Sequence, residues 1–347
     1  MLTFLRDIRN LLQQIIPNPI TLFCRYQFSP SDLVFKRLPP PVQQTSSSDG
    51  KRRKDDGATS TSVHTTFDVL SYNINHEAST SPIRRQQILR AIFTSGADVV
   101  LLQETNAAWE QLLKDDAVAL QYNNCYYHHH RPGDRPAGGI AVLSKFPLKN
   151  IDVVDTTRDI DGSVFPPLVF GVSVPILDGD CKSQTTTNRK ERYASIHIAN
   201  VHLRPPVNLD GSAWLDTARK TEPTREAEIK ELIRGTTVAL DIIAGDFNEG
   251  DYGAALRYLV SQGFTDALQK YVPRRKETHT WSLNWLTLYK RLDHILWSEL
   301  SAITISPQED DCKTSLLKCV GCGVISGYEN GASDHQPVLS RFAIVDR

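Results

Sequence analysis

Two short, largely apolar runs with one amphipathic stretch between them constrain this chain more than any other feature. Phe67, Val69 and Leu70 lead into Ser71-Tyr72-Asn73-Ile74-Asn75, a strand that ends in carboxamides. Ser81 and Pro82 then supply an N-cap and a first helical residue, Ile88, Leu89, Ile92 and Phe93 form an apolar stripe, and Gly96 fits the stop. The chain returns through a second strand, Asp98 to Gln103, with a continuous apolar centre and again ending in polar groups, Gln103-Glu104. Buried strand, helix, buried strand is the pattern of an α/β layer structure with reactive side chains along one edge.

The same arrangement recurs at residues 238–248. Val238, Ala239, Leu240, Ile242, Ile243 and Ala244 suit a strand buried on both faces, and Gly245 breaks the run. Asp246 and Asn248 follow, two residues apart and on one side if the backbone stays extended. One is a carboxylate that can accept a proton, the other a carboxamide that can donate to an anionic oxygen. A plain strand-end turn uses the same residue types.

Between these landmarks the pattern predicts a helix over 109–120, strands near 123–128 and 139–143, mostly strand from 160 to 201 around a polar loop at 178–192, a helix from Thr221 to Gly235, and another over 252–262. Val201-His202-Leu203 closes an alternating strand, where His202 alone reads as a core histidine. Lys290-Arg291-Leu292-Asp293-His294 and Ser333-Asp334-His335 complete the polar strand ends.

The chain has 347 residues, with 39 Lys and Arg against 40 Asp and Glu, so its net charge of −1 argues against a broad, non-specific nucleic-acid coat. Six scattered cysteines do not form a secreted disulfide scaffold, and Cys319-x-x-Cys322 lacks the second pair that a four-ligand zinc site needs. Residues 1–28 open with an amphipathic helix, Leu5, Ile8, Leu11, Leu12, Ile15 and Ile16 on one face, which could dock on the protein body or a partner, lie on a membrane surface or act as an organelle presequence. It is neither a membrane span nor a secretory signal, which favours an intracellular protein, nuclear or mitochondrial among the options. Residues 29–63 shift to Pro, Ser, Thr, Gln and Lys and read as a disordered linker. Within it, Lys51 to Lys54 is a nuclear-import or phosphate-binding run, or a solvated charge cluster. The folded body is residues 64–347.

If the strand ends converge, three or four carboxylates share one cleft, and each pair about 4 Å apart repels by ~4 kcal/mol at an effective dielectric of ~20. Such a cluster calls for a cation. Oxygen-rich ligands without paired thiolates favour Mg²⁺, with Mn²⁺ as an alternative, and Mg²⁺ works with one or two carboxylates plus a substrate phosphate.

Ser71-Tyr72-Asn73, Gln103-Glu104, residues 139–146, Val201-His202-Leu203, Gly245-Asp246-Phe247-Asn248, Leu292-Asp293-His294 and Ser333-Asp334-His335, in this order, resemble the endonuclease/exonuclease/phosphatase superfamily. The resemblance implies a four-layer α/β/β/α sandwich of two β-sheets flanked by helices, and a metal-dependent phosphoester hydrolase. It implies Glu104 as the main metal ligand with Asn73 beside it and Asp334 supporting the metal or its waters. Asp246 would orient or deprotonate the attacking water, and Asn248, Asn73 and His335 would hold the phosphate. His335 would be polarised by Asp293, and His202 would protonate the leaving oxygen. Position 75 is Asn where some nucleases of the group have Asp, which argues against a second carboxylate on that side of the metal. Phosphodiester cleavage of nucleic acid is the expected reaction, with lipid diesters or inositol phosphates as the alternative substrates. A non-catalytic binding module would show losses among these positions, and none is lost.

Overall fold

The computed structural model describes residues 63–129, 137–176, 191–207, 217–272, 278–283, 286–306, 315–325 and 332–346. The expected N-terminal helix, the linker with Lys51 to Lys54, and Cys24, Cys181 and Cys312 lie outside them.

The first unit forms as its pattern predicts: β1 (Val63–Asn73), a 3-10 turn (His76–Thr80), α1 (Pro82–Ser95) and β2 (Val99–Thr105). Ser81 caps α1 through its side chain, Pro82 occupies the first turn, and Gly96 ends the helix at φ 63. α2 (Ala107–Asp115), β3 (Asn124–His128), β4 (Gly139–Ser144) and β5 (Leu148–Val153) follow. The helix expected over 109–120 breaks at Asp116, whose extended backbone and side chain, accepting from Val118 N–H, restart the chain as a 3-10 turn at 117–120. β6 (Leu168–Pro175) and β7 (Tyr193–His202) carry the strand character expected from 160 to 201. Residues 160–167 do not pair. Gly162 is left-handed at φ 79, and Pro166-Pro167 offers no N–H to a ladder.

α3 (Thr217–Lys220), α4 (Glu222–Gly235), β8 (Ile242–Asp246), α5 (Ala254–Ser261), β9 (Phe264–Asp266) and α6 (Ala267–Tyr271) come next. A hairpin, β10 (His279–Leu283) and β11 (Leu286–Lys290), stands apart from the main sheet. β12 (Asp293–Ser298), β13 (Ala302–Ser306), β14 (Ser315–Val324) and β15 (Val338–Asp346) complete the chain.

The strands join in the order β3-β4-β2-β1-β15-β14-β13-β7-β8-β12-β9, with β6 and then β5 branching from β7. β1–β2 and β7–β8 are parallel, and the other pairs antiparallel. β13 is the corner: Ala302 and Ile303 pair with β14 while Thr304 to Ser306 pair with β7. The mixed sheet therefore curls into two facing halves. Phe67, Val69 and Leu101 from one half meet Phe170, Ile198 and Trp297 from the other in the central core. The outer face of the first half packs on α1 and α2 through Ile88, Ile92 and Trp109, and that of the second half on α4 and α5 through Ile229, Leu232 and Leu259. This is the expected helix, sheet, sheet, helix layering. No helix among the described residues is long and apolar enough to cross a membrane.

Candidate active site

The two parallel pairs deliver the reactive residues. In one half, Asn73 on β1 pairs with Gln103 on β2, so Glu104 lies just beyond the rung. The β2–β4 register shifts between Gln103 and Thr105, and Glu104 sits in that bulge with φ 58, which turns its side chain out of the alternation of the strand. In the other half, His202, Asp246 and Asp293 form one rung across β7, β8 and β12. Gly245 makes this rung possible, because a Cβ there would lie 1.9 Å from the Val201 carbonyl oxygen.

Asp246 and Asn248 do not share an extended strand. β8 ends at Asp246, Asn248 is left-handed at φ 53, and its N–H donates to Asp246 Oδ1 at 2.9 Å. The strand-end turn and the functional pairing are thus the same structure. Asn248 Nδ2 donates to the Leu203 carbonyl at 3.0 Å, tying this turn to the end of β7.

All eight expected residues converge. Asn73 Nδ2 lies 3.1 Å from both Glu104 Oε1 and Asp246 Oδ2, while its Oδ1 accepts from Asn75 N–H. The Nε2 atoms of His202 and His335 approach Asp246 Oδ2 at 3.7 and 3.6 Å. His335 Nδ1 lies 2.9 and 3.1 Å from the two Asp293 oxygens. Asp334 is exposed and receives Asn75 Nδ2 at 2.9 Å. His202 is 4% exposed, stacks on Phe165 with ring centroids 4.2 Å apart, and has no hydrogen-bond partner at Nδ1 among the described residues.

Burial works to raise the Glu104 carboxyl, but the hydrogen bond with His76, the neighbouring His202 and the Asn73 amide outweigh it and hold it at about 2. Burial would lower His335, yet the carboxylates of Asp293 and Asp246 raise it well above its ordinary value. His202 goes the other way: burial lowers it despite Asp246 and Glu104. At neutral pH His335 is the charged imidazole and His202 the neutral one.

The sequence profile of the Endonuclease/Exonuclease/phosphatase family matches residues 70–335, the span that supplies every one of these side chains. The chain belongs to that family. A comparison with curated protein sequences finds no match. Among solved structures, similar folds include an Enterococcus faecalis protein of unknown function (TM-score 0.53, 16% identity, 80% of this chain and 99% of that one). The human Nocturnin catalytic domain with bound sulfate superposes with a TM-score of 0.50 at 17% identity, over 80% of this chain and 94% of that one. An endonuclease/exonuclease/phosphatase from Bacteroides vulgatus gives 0.50 at 16%, over 81% and 99%.

As a family member the chain is a hydrolase of phosphoester bonds, and its donor set fits a hard divalent cation. Glu104 is ionised, faces solvent with 18% of its side chain, and has Asp334 as a like-charged neighbour. A second trio, Asp246, Asp293 and His335, brings one ligand atom from each within 4.8 Å. All three of these side chains are buried, and His335 Nδ1 lies against Asp293, as His76 Nδ1 lies against Glu104. Cys319 and Cys322 are buried free thiols on β14, Cys319 pushed up to about 12 by burial and Cys322 raised well above its ordinary value by the same cause, which leaves them protonated and poor as metal ligands.

Two side chains of this family member's site escaped the sequence reading. His76 places Nδ1 2.8 Å from Glu104 Oε2, and its own N–H reaches the same oxygen at 3.2 Å. Its signal was adjacency, a histidine next to the Asn73-Ile74-Asn75 strand end. Thr278 Oγ1 accepts the N–H of Leu292 and of Asp293, and its carbonyl accepts Gln336 N–H, so it joins the Asp293 and His335 segments. Nothing local marks that threonine.

Proposed function

We propose that this protein is a divalent-cation-dependent phosphodiesterase that cleaves nucleic acid, with Mg²⁺ or Mn²⁺ held by Glu104, Asp334 and Asn73. The observation that carries the reading is the Asn73 amide, 3.1 Å from a solvent-facing carboxylate on one side and from a buried carboxylate flanked by two imidazoles on the other. Glu104, ionised with Asp334 beside it, is the natural seat for the cation. When bound, the cation supplies Lewis-acid stabilisation of charge on the phosphoryl oxygens.

Asp246 accepts the proton of the attacking water. Its Oδ1 is held by Asn248 N–H and its Oδ2 by Asn73, so the carboxylate is oriented before substrate arrives. His335, its Nδ1–H given to Asp293, turns a charged Nε2–H toward a phosphate oxygen, where transition-state charge grows. Asn248 adds a neutral donor to the phosphate, while the two amide hydrogens of Asn73 are directed at Glu104 and Asp246, so its part is to orient those carboxylates. His202, kept neutral by burial at neutral pH and braced by Phe165, steadies the leaving oxygen with a hydrogen bond from its N–H. As a neutral ring it transfers no proton, contrary to the expected role, and the leaving oxygen takes its proton from water. Such a donor matters most when the leaving oxygen belongs to an unactivated sugar or alcohol, which favours diesters.

The test is chelation followed by Mg²⁺ or Mn²⁺ add-back on single- and double-stranded DNA, an abasic duplex, a 5′-tyrosyl oligonucleotide, sphingomyelin and an inositol polyphosphate. Cation-dependent cleavage of a nucleic-acid diester is expected. Full activity in excess chelator contradicts the cation role, and activity confined to the phosphomonoester contradicts the diesterase reading.

A further inference from the structure

Behind the His202 wall lies a group of buried charges that the chemistry above does not use. Arg225 and Glu228 sit three residues apart on α4, exposed by only 2% and 1%. Arg225 Nε pairs with Glu249 Oε2 at 3.2 Å, Nη1 donates to the Arg204 carbonyl at 3.2 Å and to Thr221 Oγ1 at 2.7 Å, and Nη2 donates to the Ala218 carbonyl at 2.8 Å. Glu228 Oε2 accepts Arg204 N–H at 2.9 Å, and its Oε1 accepts Ser163 Oγ at 2.7 Å. One turn of α4 therefore grips the backbone N–H and the carbonyl of Arg204.

Arg204 stands two residues after His202 and next to Leu203, whose carbonyl receives Asn248 Nδ2. Glu249, the partner of Arg225, follows Asn248 directly, and its Oε1 accepts Leu256 N–H at 2.9 Å. Ser163, the second partner of Glu228, lies two residues before the Phe165 ring that stacks on His202. The three segments that fix His202 and Asn248 all run back to the same two side chains. Buried ion pairs are no better for stability than well-packed apolar residues of the same volume. What they add here is direction.

We infer that Arg225 and Glu228 are positioning residues that set the separation of His202 and Asn248 by clamping the Arg204 peptide, Glu249 and the Phe165 loop to α4. The activity arm of the test rests on the phosphodiesterase reading, while the spectroscopic arm does not. Glutamine at 228 can accept Arg204 N–H through its carbonyl and donate to Ser163 Oγ through its amide, so Glu228→Gln keeps the clamp and Glu228→Leu cuts it.

On a soluble diester at saturating Mg²⁺, Glu228→Leu should lower kcat by roughly 10- to 100-fold with KM little changed, since small misplacements of catalytic groups cost about that much. Glu228→Gln should recover most of the turnover. In a His202→Ala background the Glu228→Leu loss should largely vanish. Arg225→Met would strand Glu249, so the paired Arg225→Met/Glu249→Gln variant serves as the second lesion, with the same expected kcat loss. The imidazole ¹H–¹⁵N signals of His202, assigned by their disappearance in His202→Ala, should move in Glu228→Leu and stay in place in Glu228→Gln. Equal losses for Leu and Gln, full additivity with His202→Ala, or unmoved His202 signals in Glu228→Leu each overturn the inference. If the wild type cleaves no diester, the functional reading falls and the His202 signals alone decide on the clamp.

Discussion

Glu104 and Asp246 share one Asn73 nitrogen at 3.1 Å, yet their surroundings differ: 18% of the Glu104 side chain meets solvent, against 1% for Asp246. Glu104 has a half-buried histidine, His76, and an exposed carboxylate, Asp334, for company. Asp246 has two buried imidazoles, one raised by its carboxylates and one lowered by burial. A hydrated Mg²⁺ keeps several of its waters and so needs the open side. Proton handling gains from the closed side, where bulk water neither competes for donors nor weakens their fields. On the proposed reading the division of labour follows from burial rather than from residue type, since each side is built on a carboxylate and an imidazole.

The largest expected effect breaks the closed side. Asp246→Asn should reduce turnover by roughly 10²- to 10⁴-fold, the usual contribution of a general base, while cation affinity stays near that of the wild type. His335→Ala should cost at least as much turnover. It also leaves Asp293 buried without its partner, so a loss of about 1–3 kcal/mol should appear in denaturant unfolding. An unchanged rate in Asp246→Asn removes the base from the mechanism.

On the open side, His76→Ala should weaken Mg²⁺ and Mn²⁺ binding by roughly 10- to 100-fold, the scale for losing a group that orients a metal ligand, and saturating cation should restore most of the rate. A rate that cation cannot restore would move His76 to the chemical step.

A pH effect away from both sides bears on stability and leaves the rate untouched. Burial raises Glu228 from its ordinary 4.5 to about 7. The folded chain therefore keeps a proton that the unfolded chain gives up, and stability falls as pH rises from about 4.5 to about 7. Glu228→Gln should lack this slope, with wild type and variant diverging by on the order of 3 kcal/mol across the window. Parallel unfolding curves would show that Glu228 does not titrate there. The smallest expected change is for deletion of residues 1–62, which should leave hydrolysis of a small diester intact, because every site residue lies beyond that segment.

Much of this was legible in sequence because strand ends announce themselves: an apolar run that stops at Asn73, Glu104, His202 or Asp246 fixes both the buried sheet and the edge where its chemistry collects. The turn at Asn248 was open to the plain reading of Gly, Asp and Asn at a strand end, whereas the bulge that re-aims Glu104 was not legible, since it depends on register against a neighbouring strand. Thr278 and the Arg225, Glu228 and Arg204 cluster were hidden for the same reason, being contacts between residues 14 to 24 positions apart or more. The break at Asp116 was visible only in hindsight, as an N-cap residue inside an otherwise helical pattern.

The central claim is that the cation sits on the Glu104 side and the proton on the Asp246 side. Mn²⁺ binding measured by calorimetry on wild type, Glu104→Gln and His335→Ala, with turnover recorded on the same samples, tests it most directly. The account predicts that Glu104→Gln loses both Mn²⁺ binding and turnover, while His335→Ala binds Mn²⁺ like wild type and is inactive. Retained binding in Glu104→Gln together with lost binding in His335→Ala would put the cation among Asp246, Asp293 and His335 and contradict it.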